Sequence, residues 1–278
     1  MLEYAFMRKA LLAGFFLSIM IPAIGVVMVN RKTSMIGDAL SHSALTGVGM
    51  GLILGFDPLF GMAIICTVAA FAIEIIRHRF PQYGDMATAI VMSLGLGIAS
   101  ILSDFAPGGS SFESYLFGSI ATVSTWDAVA IGAVFILVVF ASIKEYSGLL
   151  AIAIDPNTAR LSGVKVKIIN ACFTLLSAVT IAMAVKLVGA LMVTSLIALP
   201  VATSLIVARS YKETLKLTTI LGILYMFVGL ASSFYFDVKP GGAIVLFALF
   251  GMLVFWIAGK TGRRKQKGGI KKERILSK

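Results

Sequence analysis

Asp38 and His42 are the side chains whose type and placement most suggest chemistry. They stand four residues apart in RKTSMIGDALSHSALTGVGMGLILG, Arg31 to Gly55, a stretch otherwise mostly apolar or small. On a helix that spacing puts a carboxylate and an imidazole on one face, one turn apart. A carboxylate oxygen and a neutral imidazole nitrogen suit a borderline divalent metal such as Zn2+ or Mn2+. Two ligands leave the shell open, so water, another helix or a symmetry mate must complete it. An incomplete shell suits passage, because an ion in transit has to be released again. The structural alternative makes Asp38, after Gly37, the N-cap of its helix with Ser41 at N3, and His42 an interhelical donor. Both readings stay open on these residues alone.

Little else competes for chemistry. The 13 acidic residues form no paired-carboxylate constellation, and H-E-x-x-H and nucleophile-elbow motifs are absent. The other histidine, His78, lies in RHRFPQYGD, a basic loop where a solvated role dominates. Glu74 is a candidate helper for the metal, but its place just before Arg77 favours pairing with the nearby cations. Cys66 and Cys172 sit in apolar runs without a C-x-x-C motif and read as small buried hydrophobes. Gly259-Lys260-Thr261 is a near-match to a nucleotide-binding loop, but Val254 stands where its first glycine belongs, and an apolar helix precedes it instead of a strand.

The elements that must position Asp38 and His42 are membrane helices. The chain has 278 residues, 59% hydrophobic, with a mean hydropathy of +0.98. A soluble protein of this size could not cover so much apolar surface, so an all-α, polytopic membrane bundle is expected. Nine apolar segments can be counted, near 9–29, 34–55, 58–77, 86–104, 127–143, 167–186, 188–208, 215–236 and 241–259. Arg8 and Lys9 precede the first as in a signal peptide, but the run is of spanning length and reads as a retained helix. The junctions alternate in charge, and 20 of the 24 Lys and Arg fall on one side. The positive-inside rule makes that side cytoplasmic, with the N-terminus outside and the C-terminus inside. If 186–188 is instead one continuous bent helix, the count is eight. Residues 1–259 then form the membrane domain and 260–278 a basic cytoplasmic tail. That tail suits anionic headgroups better than nucleic acid.

Two junctions are long. The outer one, Asp104 to Asp127, contains a short apolar piece, Tyr115 to Ile120, suited to a re-entrant or interfacial segment. In the inner one, Lys144 to Lys167, Asp155-Pro156 predicts a helix start and Gly163 its stop, giving about two turns outside the membrane. Such a projecting helix is what docking onto an external motor requires. In the seventh segment Pro200 removes a backbone donor, and Thr194 and Ser195 are weak candidates for lining a path. Gly47, Gly51 and Gly55 form overlapping G-x-x-x-G steps that invite close helix packing, an idea repeated less regularly by Gly95 and Gly97.

At this point the chain resembles the membrane permeases of zinc- and manganese-type ABC importers. The resemblance covers nearly its whole length and rests on GDALSHSALTG from Gly37, LVGALMVTSLIALPVATS from Leu187 and SFYFDVKPGGAIVL from Ser233. It implies a homodimer in the cell (inner) membrane with the ion path at the two-fold interface. It also implies an extracytoplasmic metal-binding protein as donor and two cytoplasmic ATP-binding cassette subunits as motor. The chain itself is then a transport subunit without catalytic residues or a stably bound cofactor. By the same resemblance Asp38 and His42 lie on the metal path, and small residues on the second helix serve a tight interface. Asp155 to Gly163 is similar to the coupling helix, with Ala159 and Gly163 in its Ala-x-x-x-Gly spacing. Asp and Asn around Pro156 depart from the Glu-Ala-Ala of other importers, and Lys239 stands where relatives often have a second proline. The alternatives are a stand-alone secondary metal carrier and an ABC permease for a metal chelate.

Overall fold

Long apolar runs form the main helices, and a side-chain cap opens only some of them. The computed structural model describes residues 3–106 and 109–257; the basic tail read at 260–278 lies outside the described residues. In chain order the helices are α1 (Ala5–Asn30), α2 (Met35–Leu54), α3 (Pro58–Arg79), α4 (Gly84–Phe105), α5 (Gly109–Phe117) and α6 (Thr125–Lys144). Then come α7 (Tyr146–Ile154), α8 (Pro156–Leu161), α9 (Val166–Val188), α10 (Val193–Val207), α11 (Tyr211–Phe236) and α12 (Pro240–Ile257). Asp57 opens α3 by accepting from the Leu59 N–H at 2.9 Å, with Pro58 at the first helical position. Ser124 and Asp127 open α6 with a reciprocal capping box. Gly55, at φ +74°, ends α2 in the left-handed region.

Each of the nine apolar segments contains one long helix. Seven of these, α1, α3, α4, α6, α9, α11 and α12, are long and apolar enough to cross a membrane. The other two are α2, interrupted by Asp38, Ser41, His42 and Ser43, and α10, which has 15 residues and covers about 22 Å, short of a bilayer core. The joint at 186–188 is not a continuous bent helix. Helix α9 ends at Val188, Gly189 turns with φ +93°, and α10 begins at Val193.

The helices divide into a centre and a rim. The most apolar stretch of α1 is 67% buried and that of α9 50%, against 22% in α6 and 28% in both α4 and α12. Rim helices present residues such as Ile136, Phe140 and Phe250 outward, as lipid contact requires. The glycines of α2 do their packing inside this one chain. A Cβ on Gly47 would lie 2.4 Å from the backbone of Gly61 on α3, and one on Gly51 would lie 2.8 Å from Pro58. They therefore bring α2 against α3. Gly55 serves as the helix stop and packs against nothing, and Gly97 likewise faces open space, whereas Gly95 meets Ser43 of α2.

The long junctions hold more structure than the sequence suggests. The outer one forms α5, beginning at Gly109 instead of Tyr115, and Tyr115, Ile120 and Val123 are buried. The Tyr115 and Leu116 carbonyls accept from the N–H groups of Ala190 and Leu191, which ties α5 to the α9–α10 turn. The inner junction forms the expected short helix, α8, and an unforeseen apolar helix before it, α7.

Candidate functional site

Asp38 is not the N-cap of its helix. Helix α2 starts at Met35 after Ser34, so Asp38 sits inside the first turn and Ser41 donates its hydroxyl to the Asp38 carbonyl. The carboxylate is therefore free to point across the bundle, and it meets α10. Thr194 Oγ1 donates to Asp38 Oδ1 at 2.9 Å. The two helices come this close because Gly37 has no side chain; a Cβ there would lie 2.8 Å from Ile197 Cδ1 of α10. Of the weak candidates on α10, Thr194 reaches the site. Ser195 is half-buried and Pro200 buried, and neither is joined to Asp38.

His42 Nε2 lies 3.6 Å from Asp38 Oδ1, and the side chains are 12% and 27% exposed. That separation is too long for a good hydrogen bond. It is close to the distance of about 3.4 Å between two ligand atoms on one tetrahedral ion at ordinary Zn–N and Zn–O lengths. The pair is thus spaced to share a cation more than to bond each other. His42 Nδ1 is buried and has no partner among the described residues. Resident metal sites usually orient their imidazoles through that second nitrogen, so this ring is held less firmly. Among the described residues no third His, Cys, Asp or Glu joins the pair.

The depth of the site follows from its neighbours. The Leu40 carbonyl accepts from Cys66 Sγ at 3.2 Å, and Cys66 is 8 residues from the start of α3 and 13 from its end. The site thus lies about 12 Å from one end of α3 and about 20 Å from the other, near midspan. Arg31 and Lys32 stay at the far end, where the charge pattern expects them, while α2 begins within the bundle.

Glu74 is not a helper for this site. Its Oε2 accepts from Thr174 Oγ1 at 3.0 Å, and it lines a separate cavity with Arg31 and Arg77. At the cytoplasmic-side end of the charge pattern, the Asp155 side chain accepts from the N–H groups of Asn157 and Thr158, capping α8. These bonds, with one from the Thr158 hydroxyl as the largest influence, hold the Asp155 carboxyl below the usual carboxylate range. Ala159, 2% exposed, packs with Val27, Ile152, Val166 and Ile169, and Gly163 turns with φ +83°. Helix α8 is therefore seated on the ends of α7 and α9.

Sequence reasoning missed one charged cluster. Lys186, 7% exposed, extends its Nζ to 2.8 Å from Asp127 Oδ1 and 4.0 Å from Asp57 Oδ1. It links α9 to the starts of α6 and α3. The available signal was a lysine at the end of an apolar helix, on the side of the charge pattern that carries few Lys and Arg.

The model for the ABC 3 transport family matches residues 3–258. The chain is 34% identical to a probable metal transport system membrane protein of Treponema pallidum, over 95% of this chain and 100% of that one. It is 31% identical to the high-affinity zinc uptake system membrane protein ZnuB of Haemophilus influenzae, over 87% and 93%. It is 28% identical to the manganese transport system membrane protein MntC of Listeria monocytogenes, over 93% and 91%. Among solved structures it is similar to PsaBC from Streptococcus pneumoniae in complex with Fab, with a TM-score of 0.82 and 27% identity over 91% of this chain and 92% of that one. An inward-facing putative metal-chelate type ABC transporter shares the fold, with a TM-score of 0.69 and 19% identity over 89% and 85%. With a match running almost from end to end, the chain belongs to the ABC 3 transport family, as a membrane transport subunit and not an enzyme.

Proposed function

We propose that this chain is the permease subunit of an ATP-driven importer of divalent transition-metal ions, Zn2+ or Mn2+. The observation that carries the reading is the Asp38–His42 pair. An acid and an imidazole at metal-sharing distance face Thr194 near midspan, between the only two long helices outside the seven apolar enough or long enough to span among the described residues. Ionisable groups so placed are costly and usually functional. The ion is cargo. Asp38 and His42 replace part of its hydration shell, Thr194 fixes the carboxylate, and an unfinished shell lets the ion leave.

The working unit in this proposal is a homodimer in the cell membrane with the path at the two-fold interface. An extracytoplasmic binding protein delivers the ion, and two cytoplasmic ATPase subunits drive the cycle. The chain spans nine times, N-terminus outside and C-terminus inside; the helix in each apolar segment and the alternating charges support this. Asp155, Ala159 and Gly163 belong to a coupling helix, α8, whose seat on the ends of α7 and α9 suits the transmission of a push from the motor. Names borne by the zinc and manganese relatives support the cargo class.

The test replaces both site residues, Asp38→Ala with His42→Leu. Metal uptake by the assembled transporter is lost while the permease–ATPase assembly still purifies intact; normal uptake by that variant overturns the reading. Uptake into liposomes by this chain without ATPase subunits would show a secondary carrier instead.

A further inference from the structure

A second, larger feature lies on the opposite side of α2. A cavity of about 590 Å³ opens at the end of the bundle where Arg31, Lys32 and Arg77 cluster. Ile36 and Leu40 form part of its wall, while Asp38 and His42 do not. Positions two apart on a helix point about 200° apart, so the cavity and the metal pair use different faces of α2. Pro156, the first residue of α8, is on the wall nearest that helix.

The cavity is built for negative charge. Three permanent cations face one carboxylate, Glu74, whose Oε2 is already engaged by Thr174. None of Arg31, Lys32 and Arg77 has a carboxylate within ion-pair distance among the described residues. Arg31 lies against the Phe173 ring, 5.6 Å from its centroid. Burial first, and then the charge of Arg77, lower the Arg31 pKa from its ordinary value, and the charge of Glu74 offsets part of this. Two half-buried guanidiniums and Lys32 share that one carboxylate, which leaves the cavity with excess positive charge. Further in, Ser177 Oγ is buried and has no hydrogen-bond partner among the described residues. A buried hydroxyl left unsatisfied is costly, and an anion would accept from it. The remaining wall, including Met28, Leu40 and Ile152, is apolar.

We propose that this cavity binds a phosphate-bearing anion, gripped by Arg31 and Arg77, with Lys32 beside them and the Ser177 hydroxyl as an inner donor. Guanidinium forks match phosphate oxygens, and the volume falls within the range of ordinary ligand sites. The apolar wall accommodates the glycerol and first acyl carbons of an acidic phospholipid, and the same grip serves a free phosphate. A bound anion would tie the α1–α2 loop to α3 and α9 next to the start of α8, so its presence would bias where α8 sits. The site goes beyond the transport reading and uses neither Asp38 nor His42.

The experiment takes the purified full-length chain. Retention of phosphatidylglycerol is measured by native mass spectrometry after exchange from mixed phosphatidylcholine–phosphatidylglycerol nanodiscs, and inorganic phosphate is titrated calorimetrically in detergent. One phosphatidylglycerol is retained, or one phosphate bound, per chain; the lipid alone identifies a headgroup site and both together a general phosphate site. Arg31→Gln with Arg77→Gln weakens binding by about tenfold or more, since charge-assisted hydrogen bonds are lost. Arg31→Lys with Arg77→Lys retains part of it, and Ser177→Ala weakens it without touching charge. Thermal midpoints verify folding, and the single Arg31→Gln and Ser177→Ala variants decide the matter if the double glutamine variant does not fold. Binding of neither probe, or binding by the folded glutamine and Ser177→Ala variants equal to that of the wild type, overturns the proposal. Asp38→Ala with His42→Leu leaves anion binding intact, so failure of the metal reading and failure of this one are separable.

Discussion

A carboxylate and a histidine stand four residues apart twice in this chain, as Asp38 and His42 on α2 and as Glu74 and His78 on α3. The local pattern is the same, but the surroundings differ. Asp38 meets a single hydroxyl, Thr194, near midspan and has no Lys or Arg within ion-pair distance among the described residues. Glu74 also accepts from a threonine, but it shares its cavity with Arg31, Lys32 and Arg77, and His78 is exposed. A divalent ion approaching the second pair meets three fixed positive charges; approaching the first it meets only ligands. Spacing nominates a metal pair, and the field around it decides whether a cation can use it.

The largest expected effect tests that contrast directly. Asp38→Asn takes metal uptake by the assembled transporter to background, whereas Glu74→Gln lowers it by less than about tenfold, as expected for a group outside the ligand shell. Equal losses would show that both pairs handle the ion. A third charged cluster sharpens the comparison, because Lys186 and Asp127 are buried and fully engaged with each other. Lys186→Met leaves Asp127, 1% exposed, without its cation and destabilises the fold by about 3–5 kcal/mol, read by denaturant unfolding in detergent. Adding Asp127→Leu recovers part of that loss. A smaller effect is expected at the donor to the site: Thr194→Val weakens apparent metal affinity in uptake assays by about tenfold, in the range of outer-shell ligands.

The smallest effect concerns α8. The Asp155 carboxyl is held below its ordinary value, so its cap is present above the unfolded carboxylate pKa and is lost as pH falls through the lowered folded one. Hydrogen exchange at Asn157 and Thr158 should stay slow from neutral pH down through the ordinary aspartate range and quicken only below it. Asp155→Ala should remove that protection at every pH. A cap that loosens already near neutral pH would contradict the bonding seen.

Much of this was legible in the residues. The nine apolar runs, the Asp155-Pro156 helix start and the Gly163 turn each rest on local rules that the fold respects. The Asp38–His42 pair could be nominated because a helical period places its members together. What the sequence could not show were contacts between distant segments. Thr194 lies 156 positions from Asp38, and Lys186 lies 59 from Asp127. Segment 34–55 matches the entry of α2 at Met35, and of the two readings of Asp38 the cap falls, because a residue that is a good cap locally after Gly37 lies inside a helix that extends back past it. The glycine steps announced close packing without naming the partner, which is α3 of the same chain. Neither α7 nor the early start of α5 carries a strong local signal, since both are nine-residue helices fixed by tertiary contacts.

The turn between α9 and α10 has one more consequence. Backbone meets backbone there at three glycines: a Cβ on Gly118 would lie 2.4 Å from the Leu187 carbonyl oxygen, one on Gly189 2.3 Å from Phe117, and one on Gly241 2.0 Å from the Val188 carbonyl oxygen. With no side chain between them to deform, the end of α5, the start of α12 and the start of α10 share very few independent degrees of freedom. A tilt of α10 that withdraws Thr194 from Asp38 must drag this outer knot along with it. Ion release near midspan and rearrangement at this end of the bundle would then be two readouts of a single coordinate, with the fulcrum at Gly189.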